Sequence, residues 1–366
     1  MTLPRITLLA TLLLAAPAAA QLQITPPATI PSPGSEKQKP KEPAKESAKE
    51  KPKAAPHTIT KKKEPAPKPS ASPSPTLPAT VIPAPTPDNP NVDLVFGAYQ
   101  RGQYKTAFDL ASARAQTGDA KAMTMLGELY SNAMGIRRDY AKAVEWYKRA
   151  SDAGDREAMF ALAMLRIAGR GGPVDKGEAV KLMASAAKLG EPKAAYNLAL
   201  LYLDGQTLPQ DVKRSAELLR QAADAGLPEA QYALATFYKE GTGVPKDAER
   251  SVRLLQAASL ADNVDAEVEY AIAMFNGTGT PKNQPAAVAL LRKASRQGSA
   301  IAQNRLAWVL INGMGTPVDK IEGFKWHLVA KTSGKGDPEL DKQLADLPAD
   351  DRAKAEAAAR KWLGNK

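Results

Sequence analysis

Residues 228–263 read PEAQYALATFYKEGTGVPKDAERSVRLLQAASLADN, and these 36 residues decide the fold. The segment holds two runs with apolar residues at helical spacing, separated by a loop that contains two glycines and a proline. The first run has its apolar residues at offsets 0, 4, 7 and 8, namely Ala230, Leu234, Phe237 and Tyr238. The second run has offsets 0, 3, 4 and 7, namely Ser251, Leu254, Leu255 and Ala258. Each spacing places its residues on one face of a helix, so the segment predicts a helical hairpin.

The same pattern recurs six times at a constant step of 36 residues. The copies occupy residues 120–155, 156–191, 192–227, 228–263, 264–299 and 300–335, and they are marked by Ala122, Ala158, Ala194, Ala230, Ala266 and Ala302. Five positions after each of these alanines stands a small residue, Gly127 in the first copy and alanine in the others, which lets a neighbouring helix approach closely. An internal period of this length is typical of a repeat protein whose units stack on their neighbours.

Capping residues punctuate each copy. The second helix is preceded by Asp139, Asp175, Asp211, Asp247, Asn283 or Asp319. Because Asp and Asn side chains accept N–H groups at helix N-termini, we interpret these residues as caps rather than catalytic carboxylates. Glycines after the first and second helices predict left-handed turns, although Ala133 and Asp262 replace glycine at two of these positions. The Gly-x-Gly loops follow no strand and precede no Lys-Ser/Thr pair, so they do not predict a nucleotide site.

The units resemble a known family. Gly241-Thr242-Gly243-Val244-Pro245-Lys246-Asp247, flanked by Ala230, Leu234, Ala235, Tyr238 and Ala258, is similar to the Sel1-like repeat, a relative of the tetratricopeptide repeat. Residues 139–150 of the first copy match that pattern most closely. The resemblance implies an all-α, right-handed superhelical solenoid that acts as a protein–protein scaffold. For exported bacterial members it also implies regulation at the cell envelope or of exopolysaccharide.

The flanks differ from the array. Residues 91–119 predict a shorter helical hairpin that caps the N-terminal end, and residues 336–366 predict two capping helices at the other end.

Residues 1–20 carry Arg5, an apolar stretch over residues 6–16 and an Ala-rich end, which predicts an export signal cleaved after Ala20. Retention as an anchor is the alternative, but the stretch is about half of the ~20 residues that span a bilayer. We therefore expect a periplasmic protein, or a secreted one, without a stable membrane span.

Residues 21–90 form a basic segment with 18 prolines, 11 lysines and no arginine. Its net charge of +5 and low apolar content predict a disordered tail. The tail is interpreted as a solvated spacer or, alternatively, as a polycation that holds anionic cell-wall polymer or exopolysaccharide. Nucleic acid is not expected, since arginine and interleaved aromatic residues are lacking.

The composition argues against an enzyme. The chain has no cysteine and only two histidines, His57 and His327, so nucleophilic, metal and cofactor chemistry is poorly supplied. His327 falls at the apolar phase of a second helix and is interpreted as a packed core histidine. The sequence shows no Ser-His-Asp pattern and no paired-histidine spacing. We therefore expect no catalytic residues, no metal and no cofactor.

In tetratricopeptide repeats the non-core residues of the first helices face the concave side, and the same convention places the candidate binding surface here. These positions give an aromatic and aliphatic stripe: Phe160, Met164, Tyr196, Leu200, Tyr232, Ile272, Phe275 and Trp308. Such a stripe, rimmed by mixed charge, would suit an extended peptide or a glycan chain. The competing interpretation is that these side chains pack against the first helix of the adjacent unit. The leading hypothesis is a non-enzymatic scaffold for a protein partner, and the alternative is a polysaccharide- or peptidoglycan-associated factor.

Overall fold

A computed structural model describes residues 93–364, which contain sixteen α-helices and no strand. The predicted signal (1–20) and basic tail (21–90) lie outside the described residues. The helices are α1 (Leu94–Gln100), α2 (Tyr104–Gln116), α3 (Ala120–Asn132), α4 (Tyr140–Asp152), α5 (Arg156–Ala168), α6 (Lys176–Lys188), α7 (Pro192–Asp204), α8 (Val212–Asp224), α9 (Pro228–Glu240), α10 (Ala248–Leu260), α11 (Val264–Asn276), α12 (Gln284–Arg296), α13 (Ala300–Asn312), α14 (Lys320–Thr332), α15 (Pro338–Ala345) and α16 (Ala349–Gly364).

Helices α3 to α14 form six hairpins, which we call units one to six, and each of their helices is 13 residues long. Each helix from α3 to α13 packs chiefly on the helix before it and the helix after it in the chain, whereas α14 packs on α13 and α16. The hydrophobic core therefore runs as successive clusters between the helices, with buried leucines such as Leu126, Leu162 and Leu306. The prediction of an all-α solenoid of stacked helical hairpins is confirmed.

The predicted caps are present at the start of every second helix. Each capping side chain accepts a hydrogen bond from the backbone N–H three residues on, for example Asp139 from Lys142 at 3.0 Å and Asp247 from Arg250 at 2.9 Å. The amide of Asn283 acts in the same way toward Ala286. These aspartates are thus helix caps, because each carboxylate satisfies an N–H group that has no partner within its helix.

Left-handed turns end most helices of the array. The first helix of each unit ends on a residue in the left-handed region, such as Gly169 with a φ of 62°. Ala133 and Asp262, at φ 58° and 59°, are the only residues other than glycine with positive φ in the described part of the chain. They stand at the two positions where the sequence pattern lacks its glycine, so the turn geometry is imposed by the surrounding unit even where the residue disfavours it.

One position of the first helix, half-buried in unit four and buried in units five and six, links neighbouring units in two cases. The Gln231 side chain donates to the Ala223 carbonyl at 3.3 Å, and Gln303 donates to the Ser295 carbonyl at 3.1 Å. The corresponding residue in unit five, Glu267, is fully buried and has no amide to donate. Its carboxylate instead accepts from Lys293 of α12. A buried charge is therefore balanced by one partly exposed lysine.

The C-terminal helices lie against the last unit. Helix α16 packs on α14, where Trp326 and Trp362 meet edge to face with ring centroids 5.0 Å apart. The His327 side chain is fully buried, as predicted for a packed core histidine, and its Nε2 lies 2.9 Å from Oδ1 of Asp341 on α15. None of the helices described over residues 93–364 has an apolar stretch that would span a bilayer.

Candidate functional site

The eight residues of the predicted stripe all lie on first helices, but none of them is exposed. Tyr196 is buried, with 9% of its surface exposed, and the other seven are half-buried. They pack against three different core clusters. Phe160, Met164 and Leu200 lie against the cluster that includes Tyr196, Tyr232 lies against a second, and Ile272, Phe275 and Trp308 lie against a third. Packing between units therefore accounts for much of their apolar surface, and a binding role for the stripe stays a prediction.

Trp308 illustrates this involvement in packing. Its indole N–H donates to Oδ2 of Asp337 at 2.9 Å, at the N-terminus of α15. The Tyr232 hydroxyl lies in an environment that raises its pKa, first through burial and then through the carboxylates of Glu269 and Asp265. Glu269 in turn pairs with Lys239 at 2.7 Å. The C-terminal part of the stripe is thus held in contacts within the protein.

A groove lies at the N-terminal part of the array, and the first helices of units one to three line it together with Tyr147 of α4 and the turn that leads into α9. Its volume is about 610 Å³, and its lining comprises Thr124, Glu128, Asn132, Tyr147, Arg156, Glu157, Phe160, Ala161, Glu191, Pro192, Lys193, Ala225, Gly226, Leu227 and Pro228. We call this surface the first-helix groove. Phe160 is the only member of the predicted stripe among these lining residues.

The charges of the first-helix groove fall into two groups. Arg156 is already engaged, since its Nη1 donates to the Leu189 and Gly190 carbonyls at 3.2 Å and its Nε lies 3.7 Å from buried Glu191. Glu157 and Lys193 are exposed, and neither forms an ion pair with another described residue. One acid and one base therefore remain free to pair with a ligand.

The polar and apolar walls of the groove are fixed by internal contacts. The Glu128 carboxylate accepts from the Tyr99 hydroxyl at 2.8 Å, and the Tyr147 hydroxyl lies 3.3 Å from Oγ of Ser131. Burial raises the pKa of Tyr147 to about 12, so its phenol is neutral at physiological pH. Half-buried Phe160 adds an apolar wall. Fixed polar groups beside an aromatic ring suit recognition of a chain with mixed side chains.

Sequence reasoning missed most of this groove. No sequence pattern singles out Arg156 or Glu191, and Tyr147 falls at an apolar position of a second helix, which indicates packing rather than a surface. One signal was available at Glu191, which occupies the N-cap of α7 where Asp155 stands before α5. A longer acidic side chain at a capping position can reach beyond its own helix. No group of three or more His, Cys, Asp or Glu side chains that could hold a metal ion occurs within the described residues.

A known family matches the chain with the same boundaries as the six hairpins. The family model described as "Sel1 repeat" matches residues 120–155, 156–191, 192–227, 228–263, 264–299 and 300–334. A solved Sel1 repeat protein from Oxalobacter formigenes is 25% identical, with a TM-score of 0.58, and the match covers 65% of this chain and 98% of that one.

A second similar structure is c5321, a protective antigen of uropathogenic Escherichia coli strains with an SLR fold. It is 22% identical, with a TM-score of 0.50, and the match covers 71% of this chain and 64% of that chain. At this identity the likeness concerns the fold alone. No curated protein matches the sequence.

Proposed function

Because this chain belongs to the Sel1 repeat family, whose members are in general protein-interaction scaffolds, we propose that it is a non-catalytic scaffold that binds a partner protein segment in the first-helix groove. The observation that carries the proposal is the lining itself. The first helices of three successive units and the start of the fourth contribute to one depression, which suits an extended chain better than a compact ligand.

The chemistry of the groove supports a polypeptide as its occupant. Glu157 and Lys193 offer one unpaired charge of each sign, and Phe160 offers an apolar contact. A polypeptide supplies charged, apolar and backbone polar groups along one chain, so it can satisfy all three. The rim charges would govern orientation and association rate more than the bulk of the affinity.

The test uses the groove charges with a matched control. A photo-crosslinking amino acid at Lys193 should capture the partner, and the same amino acid at Lys213 of α8 should not. The exchange Glu157→Lys/Lys193→Glu keeps the net charge and should weaken binding of the captured partner about tenfold. The control exchange Lys181→Glu/Glu217→Lys places the same two changes on exposed second-helix positions and should leave binding unchanged. Equal capture from Lys193 and Lys213, or equal loss in both exchanges, would refute the proposed site.

Export and the polysaccharide alternative are separate proposals with their own test. We infer from residues 1–20 that the protein is exported, with the periplasm as its destination and secretion as the alternative. Mass spectrometry of the purified protein should find Gln21 at its N-terminus, and an intact Met1 would contradict processing. Association with cell-wall polymer rests on the sequence of residues 21–90. It predicts salt-sensitive sedimentation with purified peptidoglycan that the groove exchange leaves unaltered.

A further inference from the structure

A row of cations runs along one edge of units one and two and of the hairpin that precedes them. We call it the loop edge; it comprises the loops after α3 and α5 together with the first turns of α2, α4 and α6. Its cations are Lys105, Arg137, Arg138, Lys142, Arg170 and Lys176. All six side chains are exposed, and none pairs with a carboxylate in the described part of the chain. None of them lines the first-helix groove.

The fold gathers these cations from distant positions in the sequence. Each loop lies directly on the first turn of the preceding second helix. At Gly135 a Cβ atom would lie 2.7 Å from Tyr104 Cβ, and at Gly171 it would lie 2.3 Å from the Tyr140 carbonyl oxygen. Glycine at these positive φ positions therefore permits a contact that no side chain would allow.

Aromatic rings orient the guanidinium groups without neutralising them. The Arg138 and Arg170 guanidinium carbons lie 5.8 and 5.3 Å from the centre of the Tyr140 ring. The Lys142 ammonium lies 5.4 Å from the centre of the Tyr130 ring. Cation–π contacts at this range restrict the side chains and leave their N–H groups free to donate.

The acidic residues beside the loop edge form hydrogen bonds or ion pairs with groups outside the row of cations. Asp139 accepts from the Lys142 backbone N–H at 3.0 Å, and Asp175 accepts from that of Glu178 at 2.8 Å. The Glu178 side chain pairs with Arg166 at 2.8 Å. These carboxylates are thus held by their own helices and by Arg166, and they leave the guanidinium forks of the loop edge unoccupied.

The positive charge is not a requirement of the repeat. Arg137 stands where the other five units carry proline: Pro173, Pro209, Pro245, Pro281 and Pro317. Arg170 stands where units three to five carry glutamine or threonine, at Gln206, Thr242 and Thr278. A loop of the same design therefore folds without these arginines, and their presence calls for an explanation other than loop geometry.

We propose that the loop edge binds an acidic, extended segment of a partner protein, whose carboxylates are received by Arg137, Arg138 and Arg170. The proposal rests on the scaffold function above but uses a different surface. Arginine is favoured for this role because its planar fork pairs with a carboxylate through two parallel hydrogen bonds. Neighbouring helices lie roughly 10 Å apart. An extended chain advances about 3.3 Å per residue, so an acidic residue at about every third position would meet successive cations.

The probe is a fluorescein-labelled 12-residue peptide with glutamate at every third position, titrated with the full chain and followed by anisotropy. Arg137→Glu/Arg138→Glu/Arg170→Glu should weaken binding at least about tenfold. The control Lys213→Glu/Lys246→Glu/Lys282→Glu makes the same charge change on exposed residues of units three to five and should have little effect. Because residues 21–90 are identical in all proteins, the difference between the two variants isolates the loop edge.

Two further variants keep the test decisive if the triple change perturbs folding. Arg137→Pro installs the residue of the other five units and should weaken binding severalfold while leaving the circular dichroism spectrum unchanged. Replacing the three arginines by lysine keeps the charge and should also weaken binding, since the fork is lost. The glutamine version of the peptide should not bind.

Several results would overturn the proposal. An equal loss of peptide affinity in the two triple variants would show a general charge effect. Unaltered peptide binding by the lysine variant would show that the guanidinium groups have no specific role. Binding to vesicles of phosphatidylcholine with 30% phosphatidylglycerol, lost in the arginine triple variant while the peptide fails to bind, would assign the edge to a membrane. If the peptide fails but the partner captured through Lys193 still binds, this proposal falls and the groove function stands.

Discussion

Gly127 and Tyr147 form a pair of residues whose sizes should be strongly coupled. Gly127 lies inside α3, and a Cβ atom added there would lie 2.6 Å from Cδ1 and Cε1 of the Tyr147 ring and 2.9 Å from its Cγ. The other units carry alanine at this position, and units three to five place leucine where unit one has Tyr147. The large ring in unit one is therefore accommodated by the missing methyl group of the glycine.

The loss of stability expected for Gly127→Ala is the difference between two opposing effects. Carbon atoms make optimal contact at about 3.5–4.0 Å, so Gly127→Ala creates about 1 Å of overlap. Overpacking of this kind costs about 1–3 kcal/mol. Alanine gains about 1 kcal/mol over glycine in a helix, which leaves a net loss of ~1 kcal/mol. Tyr147→Leu alone leaves a void above the glycine and should cost about 2 kcal/mol.

The double variant Gly127→Ala/Tyr147→Leu reproduces the pair found in units three to five. It should lie within about 1 kcal/mol of the wild type, because the overlap and the void are both removed, which gives a coupling energy of ~2 kcal/mol. Urea unfolding followed by circular dichroism at 222 nm measures the four free energies. A matched cycle in unit three, Ala199→Gly with Leu219→Tyr, should show coupling of the same sign.

Additive losses of stability would contradict a coupling between Gly127 and Tyr147. If the two single losses sum to the double loss within about 0.5 kcal/mol, the contact at Gly127 does not determine the packing of unit one. An unfolding curve whose steepness changes between variants would signal partial unfolding of single units. The cycle would then be measured by hydrogen exchange at the amides of α3.

Three other predictions concern the same array. Gly171→Ala should destabilise the protein by several kcal/mol more than Gly226→Ala, since both glycines have positive φ but a Cβ meets a backbone oxygen at 2.3 Å only at Gly171; comparing the two thermal midpoints tests this. Lys293→Met should destabilise the protein, because it leaves buried Glu267 without its partner, and adding Glu267→Gln should recover much of the loss; urea unfolding of the double variant that shows no recovery would contradict the pairing. Burial raises the pKa of Tyr147 from 10.0 to about 12, so its contribution to stability is complete below pH 10 and is lost as the pH rises toward 12. The free energy of unfolding, measured at several pH values in that interval, should therefore fall less with pH in Tyr147→Phe than in the wild type.

Local chemistry explains which parts of the fold could be predicted from the sequence. Helical spacing, the capping aspartates and the left-handed turns depend on residues within about four positions of one another, so a single copy of the repeat displays them. The capping role of Asp139 and the burial of His327 were predicted in this way and agree with the structure. The hydrogen bond of His327 to Asp341 was not predicted, because the capping helix that carries Asp341 lies beyond the array.

The candidate site was less predictable, because exposure depends on neighbours that are a whole unit away. Tyr196 and Trp308 share a helix face with Phe160 in the sequence pattern, yet Tyr196 is buried and Trp308 donates to Asp337. Helical periodicity gives the side of a helix, but it does not give the distance to the next helix. Only the tertiary structure separates a groove residue from a packing residue.

The sequence by itself thus determined the helical-hairpin design of the units, their caps and their family, since every 36-residue copy displays these features. The number of copies determined the number of units. The tertiary structure alone decided where successive first helices leave a groove and which loop meets which helix. It also placed Arg138 and Arg170, 32 positions apart, around one tyrosine ring. The physical reason is that a regular repeat specifies its own local contacts, whereas binding surfaces arise from the side chains that differ between neighbouring units and meet only after stacking.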